Sequence, residues 1–129
     1  NDVSARDIQF TDKQFTRAKS FDTFAPCGPW ITTSDEIADP ENLKLTTKIN
    51  GELRQNSSTK NMYIKPFEII SKLSQSMTLE KGDIISTGTP SGVVLNNPDL
   101  EYLKDGDEIE MEIENLGILK NSVKIIKNS

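Results

Sequence analysis

The dipeptide Asn50-Gly51 lies between two runs of residues that suit β-strands, and it constrains the fold of this chain more than any other feature. Residues 43–49, LKLTTKI, alternate in polarity, and the polar run ELRQNSST follows the dipeptide directly. Asparagine and glycine both accept the positive φ angles that a two-residue hairpin turn requires. The sequence therefore predicts an antiparallel hairpin whose turn is Asn50-Gly51.

Two further strands are predicted towards the carboxyl end of the chain. EIEMEIE, residues 108–114, alternates strictly, with three apolar side chains on one face and four glutamates on the other. A turn at residues 115–117 leads to a last strand over about residues 118–126. We interpret the glutamate face as solvated, opposite Lys120 and Lys124 on the last strand, and not as a metal site.

Other segments complete a β-rich α+β pattern. DIIST, residues 83–87, is predicted to be a short buried strand, and Pro66 is predicted to begin a helix over residues 66–75. Residues 1–9 suit the end of a strand that runs into a loop. Trp30 follows a segment that two prolines restrict, and we expect it to anchor that segment in the core.

Length and composition exclude several classes of protein. A chain of 129 residues suits one domain, and no apolar run approaches the roughly 18 residues of a membrane helix. The net charge of −5 argues against nucleic-acid binding, which needs a surplus of lysine and arginine. The single cysteine, Cys27, favours a reducing, cytoplasmic setting, and we expect its thiol to be packed. The sequence contains no histidine, so a histidine-dependent mechanism would need a residue from outside this chain.

Polar side chains of catalytic type are concentrated at the start of the chain, in the run NDVSARDIQFTDKQFTRAKS. Asp2 and Asp7 are suitable ligands for a hard divalent cation, although turn and capping roles explain two aspartates at this spacing as well. Arg6 suits either a substrate carboxylate or an internal ion pair with one of these aspartates. From spacing alone, Lys19 is an ordinary surface lysine.

A second candidate is the segment TGTPSG, residues 87–92, at the end of the predicted strand 83–87. Its two glycines and three hydroxyl groups can present hydrogen-bond donors to an oxyanion or a carboxylate. A simple turn that ends the strand explains the same composition equally well. The segment does not have the spacing of a phosphate-binding P-loop.

Five motifs together carry a resemblance to a known family: NDVSARDIQ, AKSFDTFAPCGPW, NGELRQNSST, TLEKGDIISTGTPSGV and YLKDGDEIEMEIENLG. In order and spacing they resemble the C-terminal catalytic domain of the fumarylacetoacetate hydrolase family. The resemblance runs through essentially the whole chain. It implies a single catalytic domain over residues 1–129, truncated at its N-terminal side, with a mixed β-sandwich or β-roll and one or two short helices. It also implies a homodimer.

The resemblance further implies a metal site that this chain supplies only in part. The aspartate of the first motif, Asp2, is implied as a ligand of Mg²⁺, with Mn²⁺ or Ca²⁺ as alternative occupants. The remaining ligands are implied to come from a Glu-x-Glu motif in a missing N-terminal segment upstream of Asn1. The other residues implied at the site are Arg6 and Gln9 beside the reaction centre, Lys19 on the oxo acid group, and Gly88 and Thr89 on the substrate carboxylate.

The function implied by the resemblance is that of a cytoplasmic, Mg²⁺-dependent catabolic enzyme acting on small 2-oxo or 1,3-diketo acids. Hydrolysis of a C–C bond in acylpyruvate-type substrates, through a metal-stabilised enolate, is the favoured reaction. Isomerisation of 2-hydroxyhepta-2,4-diene-1,7-dioate and decarboxylation of oxaloacetate are alternatives within the family. The alternative from another class is an inactive fragment or an oxo-acid-binding module without its full metal site.

Overall fold

The computed structural model describes residues 1–126 of the chain. In this part, four β-strands and three short α-helices are connected by long loops, and no helix has the length and apolarity to cross a membrane. The strands are β1 (Lys44–Ile49), β2 (Glu52–Ser58), β3 (Glu108–Ile113) and β4 (Gly117–Ser122). The helices are α1 (Arg6–Asp12), α2 (Thr16–Lys19) and α3 (Pro66–Ser74), and 3-10 turns lie at Thr59–Asn61 and Val94–Asn96.

The four strands form one antiparallel sheet in the order β2-β1-β3-β4. The predicted β1–β2 hairpin is confirmed, because Asn50 and Gly51 form its turn with φ angles of 52° and 82°. The turn into β4 likewise has Asn115 and Gly117 at positive φ. The last strand ends at Ser122, earlier than predicted. The expected β-rich α+β fold class is confirmed.

The alternation of β3 separates a buried face from a charged face, as predicted. Ile109 is buried, whereas Glu108 on the other face is exposed. Lys120 of β4 lies 3.1 Å from Glu108, which confirms the predicted cross-strand pairing. Lys124 instead pairs with Asp105 at 3.7 Å, beyond the end of β4. Exposed ion pairs of this kind contribute at most about 1 kcal/mol each, so the apolar face contributes more to the stability of the sheet.

The local sequence pattern predicted α3 correctly but did not predict α1. The helix α3 spans Pro66–Ser74, which confirms the predicted helix. The prediction of a strand end over residues 1–9 is wrong, because a helix begins at Arg6. Its backbone groups find partners within the segment, as in the 3.0 Å bond from Gln9 N to Ala5 O. Because these groups are satisfied locally, the segment needs no neighbouring strand.

Residues 83–87 do not form the predicted buried strand. The segment has no regular secondary structure and pairs with no strand elsewhere in residues 1–126. Ile84 is 78% exposed. A strand needs a neighbour to satisfy its backbone N–H and C=O groups, and an apolar run carries no information about that neighbour. The error therefore concerns long-range pairing and not the local preference of these residues.

The surroundings of Trp30 also differ from the prediction. Trp30 is 62% exposed and Cys27 is exposed, so the expected burial of both side chains is wrong. The Trp30 ring instead lies against Gly117, where an added Cβ atom would come within 2.6 Å of Trp30 Cζ2. The buried apolar side chains of residues 1–126 are Ala18, Leu43 and Ile109. Because this core is small, the indole packs on the turn between β3 and β4 rather than inside it.

Candidate active site

A cleft of about 180 Å³ lies between the N-terminal segment and one face of the sheet. The sheet contributes Thr47, Ile49, Gln55, Ile109 and Met111 from three strands. In β1 and β3 the lining positions are two residues apart, so they point to the same side of the sheet. The other lining residues are residues 1–4, Arg6, Arg54, residues 92–94 and residues 101–103.

Asp2 and Lys19 are brought together beside this cleft. The Lys19 ammonium group forms an ion pair with the Asp2 carboxylate. A backbone hydrogen bond of 2.9 Å from Ala5 N to Ala18 O joins the two segments, and Ala18 is completely buried. Both charged side chains keep part of their surface exposed, so a ligand can reach each of them. The structure thus assembles two of the residues that the sequence singled out.

Arg6 and Gln9 form a second pair, within α1. Arg6 Nη1 donates a hydrogen bond of 2.6 Å to Gln9 Oε1, and Gln9 is buried. In the described part of the chain, the side-chain hydrogen bond of Arg6 goes to this amide and not to Asp2 or Asp7. One nitrogen of the guanidinium is held in this way, and its other N–H groups remain available to an anion in the cleft.

A β-bulge in β2 directs two further polar side chains at the cleft. Thr47 pairs with Gln55 and Lys48 pairs with Leu53, so Arg54 is an extra residue between the two pairs. Bulges bend a strand and re-aim its side chains, and they are common beside active sites. As a result, Arg54 and Gln55 both line the cleft. Sequence reasoning missed both residues, although a charged residue and an amide inside a predicted strand were an available signal.

Gln55 connects the cleft to the segment TGTPSG, residues 87–92. Its side-chain nitrogen donates a hydrogen bond of 2.8 Å to Thr89 Oγ1. Gly92 lies directly on the backbone of β2, where an added Cβ atom would come within 2.1 Å of Arg54 O. The loop that carries Thr89 is therefore tied to the sheet by one side chain and by one close backbone contact. Gly88, in contrast, has open space where a side chain would extend.

Comparison with known proteins shows the family to which this chain belongs. A family model described as fumarylacetoacetate (FAA) hydrolase C-terminal matches residues 1–124. The chain belongs to the fumarylacetoacetate hydrolase family. This membership confirms the resemblance that the five sequence motifs indicated.

Several proteins of the fumarylacetoacetate hydrolase family are similar to this chain. It is 50% identical over 125 residues to a mitochondrial oxaloacetate tautomerase of Bos taurus, across 95% of this chain and 40% of that protein. The solved structure of a fumarylacetoacetate hydrolase from Exiguobacterium antarcticum matches with a TM-score of 0.92 and 49% identity, covering 96% of this chain and 44% of that one. A maleylpyruvate hydrolase from Sphingobium sp. SYK-6, solved in complex with manganese(II) and pyruvate, has a TM-score of 0.76 and 39% identity, covering 84% of this chain and 38% of that one. The chain thus spans less than half the length of each of these proteins.

Asp2 is suited to be one ligand of the divalent cation that membership of the fumarylacetoacetate hydrolase family implies. Its carboxylate is a hard oxygen donor beside the cleft. The ammonium group of Lys19 is ion-paired with this carboxylate, so the carboxylate already binds a positive charge. Mg²⁺ is often bound by one or two carboxylates together with water and substrate. In residues 1–126, no three acidic, histidine or cysteine side chains converge. Asp2 therefore fits as a member of a ligand set rather than as a complete site.

Replacing Gly92 with alanine is expected to displace the loop that carries Thr89. The new Cβ atom would lie 2.1 Å from Arg54 O and 3.0 Å from Gln55 Cγ, and Gly92 has a φ angle of +103°. Steric overlap and backbone strain together should lower the free energy of unfolding by about 2–4 kcal/mol. Urea unfolding of the full chain measures this change.

Gly82→Ala is the matched control for that experiment. Gly82 has a similar φ angle of +97°, but an added Cβ atom there would meet nothing within 4 Å. Gly82→Ala should therefore show the cost of backbone strain without the steric overlap. An equal loss of stability in the two variants would contradict the close contact between Gly92 and β2.

Proposed function

We propose that this chain contributes the substrate-binding part of a divalent-cation-dependent enzyme that acts on small 2-oxo or 1,3-diketo acids. The observation that carries the proposal is the ion pair of Asp2 and Lys19 beside the cleft. It places a carboxylate that can bind a cation next to an ammonium group that can bind an anion. A 2-oxo acid presents a carboxylate and a keto oxygen side by side, so it can use both groups.

Asp2 would hold the cation together with carboxylates from the part of the family fold that this chain does not span. A Glu-x-Glu motif is the source that the family resemblance implies. When bound, the cation would supply Lewis-acid polarisation of the substrate oxygen atoms. Mg²⁺ is our first choice, and Mn²⁺ is the second because a related maleylpyruvate hydrolase was solved with manganese(II).

Other residues of the site would bind and orient the substrate. Lys19, once released from Asp2, adds positive charge beside the oxygen on which an enolate develops. Thr89 and the backbone N–H groups near Gly88 would hold the substrate carboxylate. Arg6, whose guanidinium Gln9 holds in place, offers a second cationic contact at the cleft wall. Together these contacts would fix the reacting bond relative to the charged groups, which is a contribution of orientation.

Several reactions of such acids share one enolate, and two of them are specific candidates. Tautomerisation of oxaloacetate moves a proton between C3 and the keto oxygen, and the Bos taurus relative at 50% identity is named for this reaction. Hydrolysis of a C–C bond in an acylpyruvate adds water across that bond, and it is the reaction that the family resemblance favours. Hydrolysis needs an activated water molecule in addition to the enolate. Tautomerisation therefore makes the simpler demand on the residues of this site.

Assays of the complete protein, meaning this chain together with the part of the family fold that it does not span, test the proposal against these substrates. The keto–enol equilibration of oxaloacetate is followed by the ultraviolet absorbance of the enol, while acylpyruvate cleavage, dienedioate isomerisation and CO₂ release are measured in parallel. We expect turnover that EDTA abolishes and that added Mg²⁺ or Mn²⁺ restores. Turnover that is indifferent to EDTA, in protein free of metal by elemental analysis, would refute the metal-dependent mechanism. Oxaloacetate binding without turnover of any substrate would favour an oxo-acid-binding module.

A homodimer, which the family resemblance implies, is a separate proposal. Among the described residues, several large apolar side chains are exposed, including Tyr63 and Ile31. Association is one way to cover such a surface. Light scattering over a range of concentrations measures the mass of the full chain in solution, and a monomer at every concentration would contradict the proposal.

A further inference from the structure

We propose that Gln55 is a positioning residue that sets the direction of the Thr89 hydroxyl group, so that this hydroxyl donates its proton to a substrate carboxylate. The inference rests on the proposed function for the role of Thr89. That Gln55 holds the loop in place, in contrast, follows from the hydrogen bonds of Gln55 alone. Gln55 itself does not need to touch the substrate.

The amide nitrogen of Gln55 faces three oxygen atoms of one loop. Gln55 Nε2 lies 2.8 Å from Thr89 Oγ1, 3.1 Å from Pro90 O and 3.4 Å from Ser91 O. The two carbonyl oxygens can only accept hydrogen bonds, so the NH₂ group and not the amide oxygen must face the loop. Its two N–H groups serve the two nearest acceptors, which are Thr89 Oγ1 and Pro90 O.

This orientation of the Gln55 amide determines whether the Thr89 hydroxyl can donate a hydrogen bond to a ligand. A hydroxyl group has one proton and two lone pairs, and here a lone pair accepts the hydrogen bond from Gln55. Its own proton therefore points away from Gln55 and is available to a further acceptor. A carboxylate only accepts hydrogen bonds, so the hydroxyl in this state is matched to an anionic group. Without Gln55, the hydroxyl could rotate and donate to a nearby backbone carbonyl instead.

The surroundings of Gln55 hold this arrangement in place. Gln55 is 8% exposed, and it pairs with Thr47 of β1, which lines the cleft on the same side of the sheet. Gly92 packs on Arg54 O at the other end of the loop, so the loop is held at two points. Removing the amide would leave oxygen atoms of the loop without their hydrogen-bond donor. The position of the loop and the binding of the carboxylate should therefore depend on the same side chain.

Two substitutions of Gln55 in the complete protein test the inference. Gln55→Glu keeps the shape of the side chain but presents only acceptors to the loop at neutral pH, and Gln55→Leu removes the polar group. We expect KM for the oxo acid to rise about 10-fold or more in both variants, while kcat stays within about threefold. The reason for this split is that the loop binds the carboxylate and takes no part in the bond changes.

Gln75→Glu and Gln75→Leu are the matched controls, because Gln75 is an exposed glutamine at the end of α3. Both should keep the KM and kcat of the parent chain. A double-mutant cycle with Thr89→Val adds a second readout. If Gln55 acts through Thr89, combining the two substitutions should raise KM by no more than about twofold over Thr89→Val alone. An unchanged KM in Gln55→Glu would overturn the inference. The inference would also fail if the rise in KM of the double variant equalled the product of the rises in the two single variants.

Limited proteolysis distinguishes failure of this inference from failure of the proposed function. Cleavage within residues 87–93 should be about 10-fold faster in Gln55→Leu than in Gln75→Leu. If the parent protein turns over no oxo acid, the proposed function fails, and proteolysis alone decides whether Gln55 holds the loop. Cleavage that is unchanged in both Gln55 variants would overturn that role. If Gln55→Leu is also cleaved faster throughout β3, it has unfolded globally, and Gln55→Glu then decides.

Discussion

Asp2→Ala is expected to lower kcat/KM of the complete protein for an oxo acid by about 10³-fold or more, while the protein stays folded. A bound cation stabilises the charge of the transition state by several kcal/mol, and each 1.36 kcal/mol is about tenfold in rate. Asp2 is partly exposed and makes its side-chain contact with Lys19, so its loss removes little packing. Steady-state kinetics measure the activity, and calorimetric titration with Mg²⁺ or Mn²⁺ measures the affinity for the cation.

Asp7→Ala is the matched control for the Asp2 substitution. Asp7 belongs to the same motif and is exposed in the first turn of α1. Its replacement should leave cation affinity and turnover within about threefold of the parent chain, as for other exposed positions away from a site. Normal turnover and normal cation affinity in Asp2→Ala would remove Asp2 from the site.

Lys19→Met is expected to lower kcat/KM by about 10²–10³-fold, since a fixed charge beside a developing oxyanion contributes on this scale. Methionine keeps most of the length of the lysine side chain but carries no charge. The structure suggests a second effect, because Lys19 occupies the carboxylate of Asp2. Removing its ammonium should raise the affinity of the site for Mg²⁺ even as turnover falls. Calorimetry and kinetics on the same sample measure the two effects together.

Lys13→Met controls for the loss of a positive charge in the same N-terminal segment. Lys13 is exposed at the end of α1, and in the described residues it takes part in no ion pair. Its replacement should change the affinity for Mg²⁺ and kcat/KM by less than about twofold each. Equal, small losses of turnover in Lys19→Met and Lys13→Met would mean that Lys19 is an ordinary surface lysine.

Features with local signals could be predicted from sequence. Asn50-Gly51 accepts positive φ at both turn positions, which few residue pairs do without strain. The alternation in residues 108–114 matches the two faces of β3 because successive side chains of any strand point to opposite sides. Pro66 begins α3 because its ring is compatible with the first turn of a helix. In each case the physical cause lies within a few residues of the signal.

The candidate site was only partly accessible to sequence reasoning. The motif NDVSARDIQ and the lysine that follows it drew attention to Asp2, Arg6 and Lys19, but spacing alone left their roles open. The structure pairs Asp2 with Lys19 and Arg6 with Gln9, and the catalytic roles of these residues stay predictions. The Arg6–Gln9 pair follows from the helix α1, which the sequence did not predict. The Asp2–Lys19 pair joins residues 17 positions apart, so it depends on how two segments pack.

By itself, the sequence determined the family, the two hairpins and the residue types available for chemistry, since all of these are recorded in short motifs and local conformational preferences. Only the tertiary structure decided that residues 83–87 pair with no strand in the described part of the chain, and that Trp30 lies on a turn instead of in the core. It also decided that Gln55 reaches across 34 positions to Thr89. The physical reason is that such contacts depend on how distant segments pack. Gln55 faces the cleft because it pairs with Thr47, and that pairing exists only once β1 and β2 have come together.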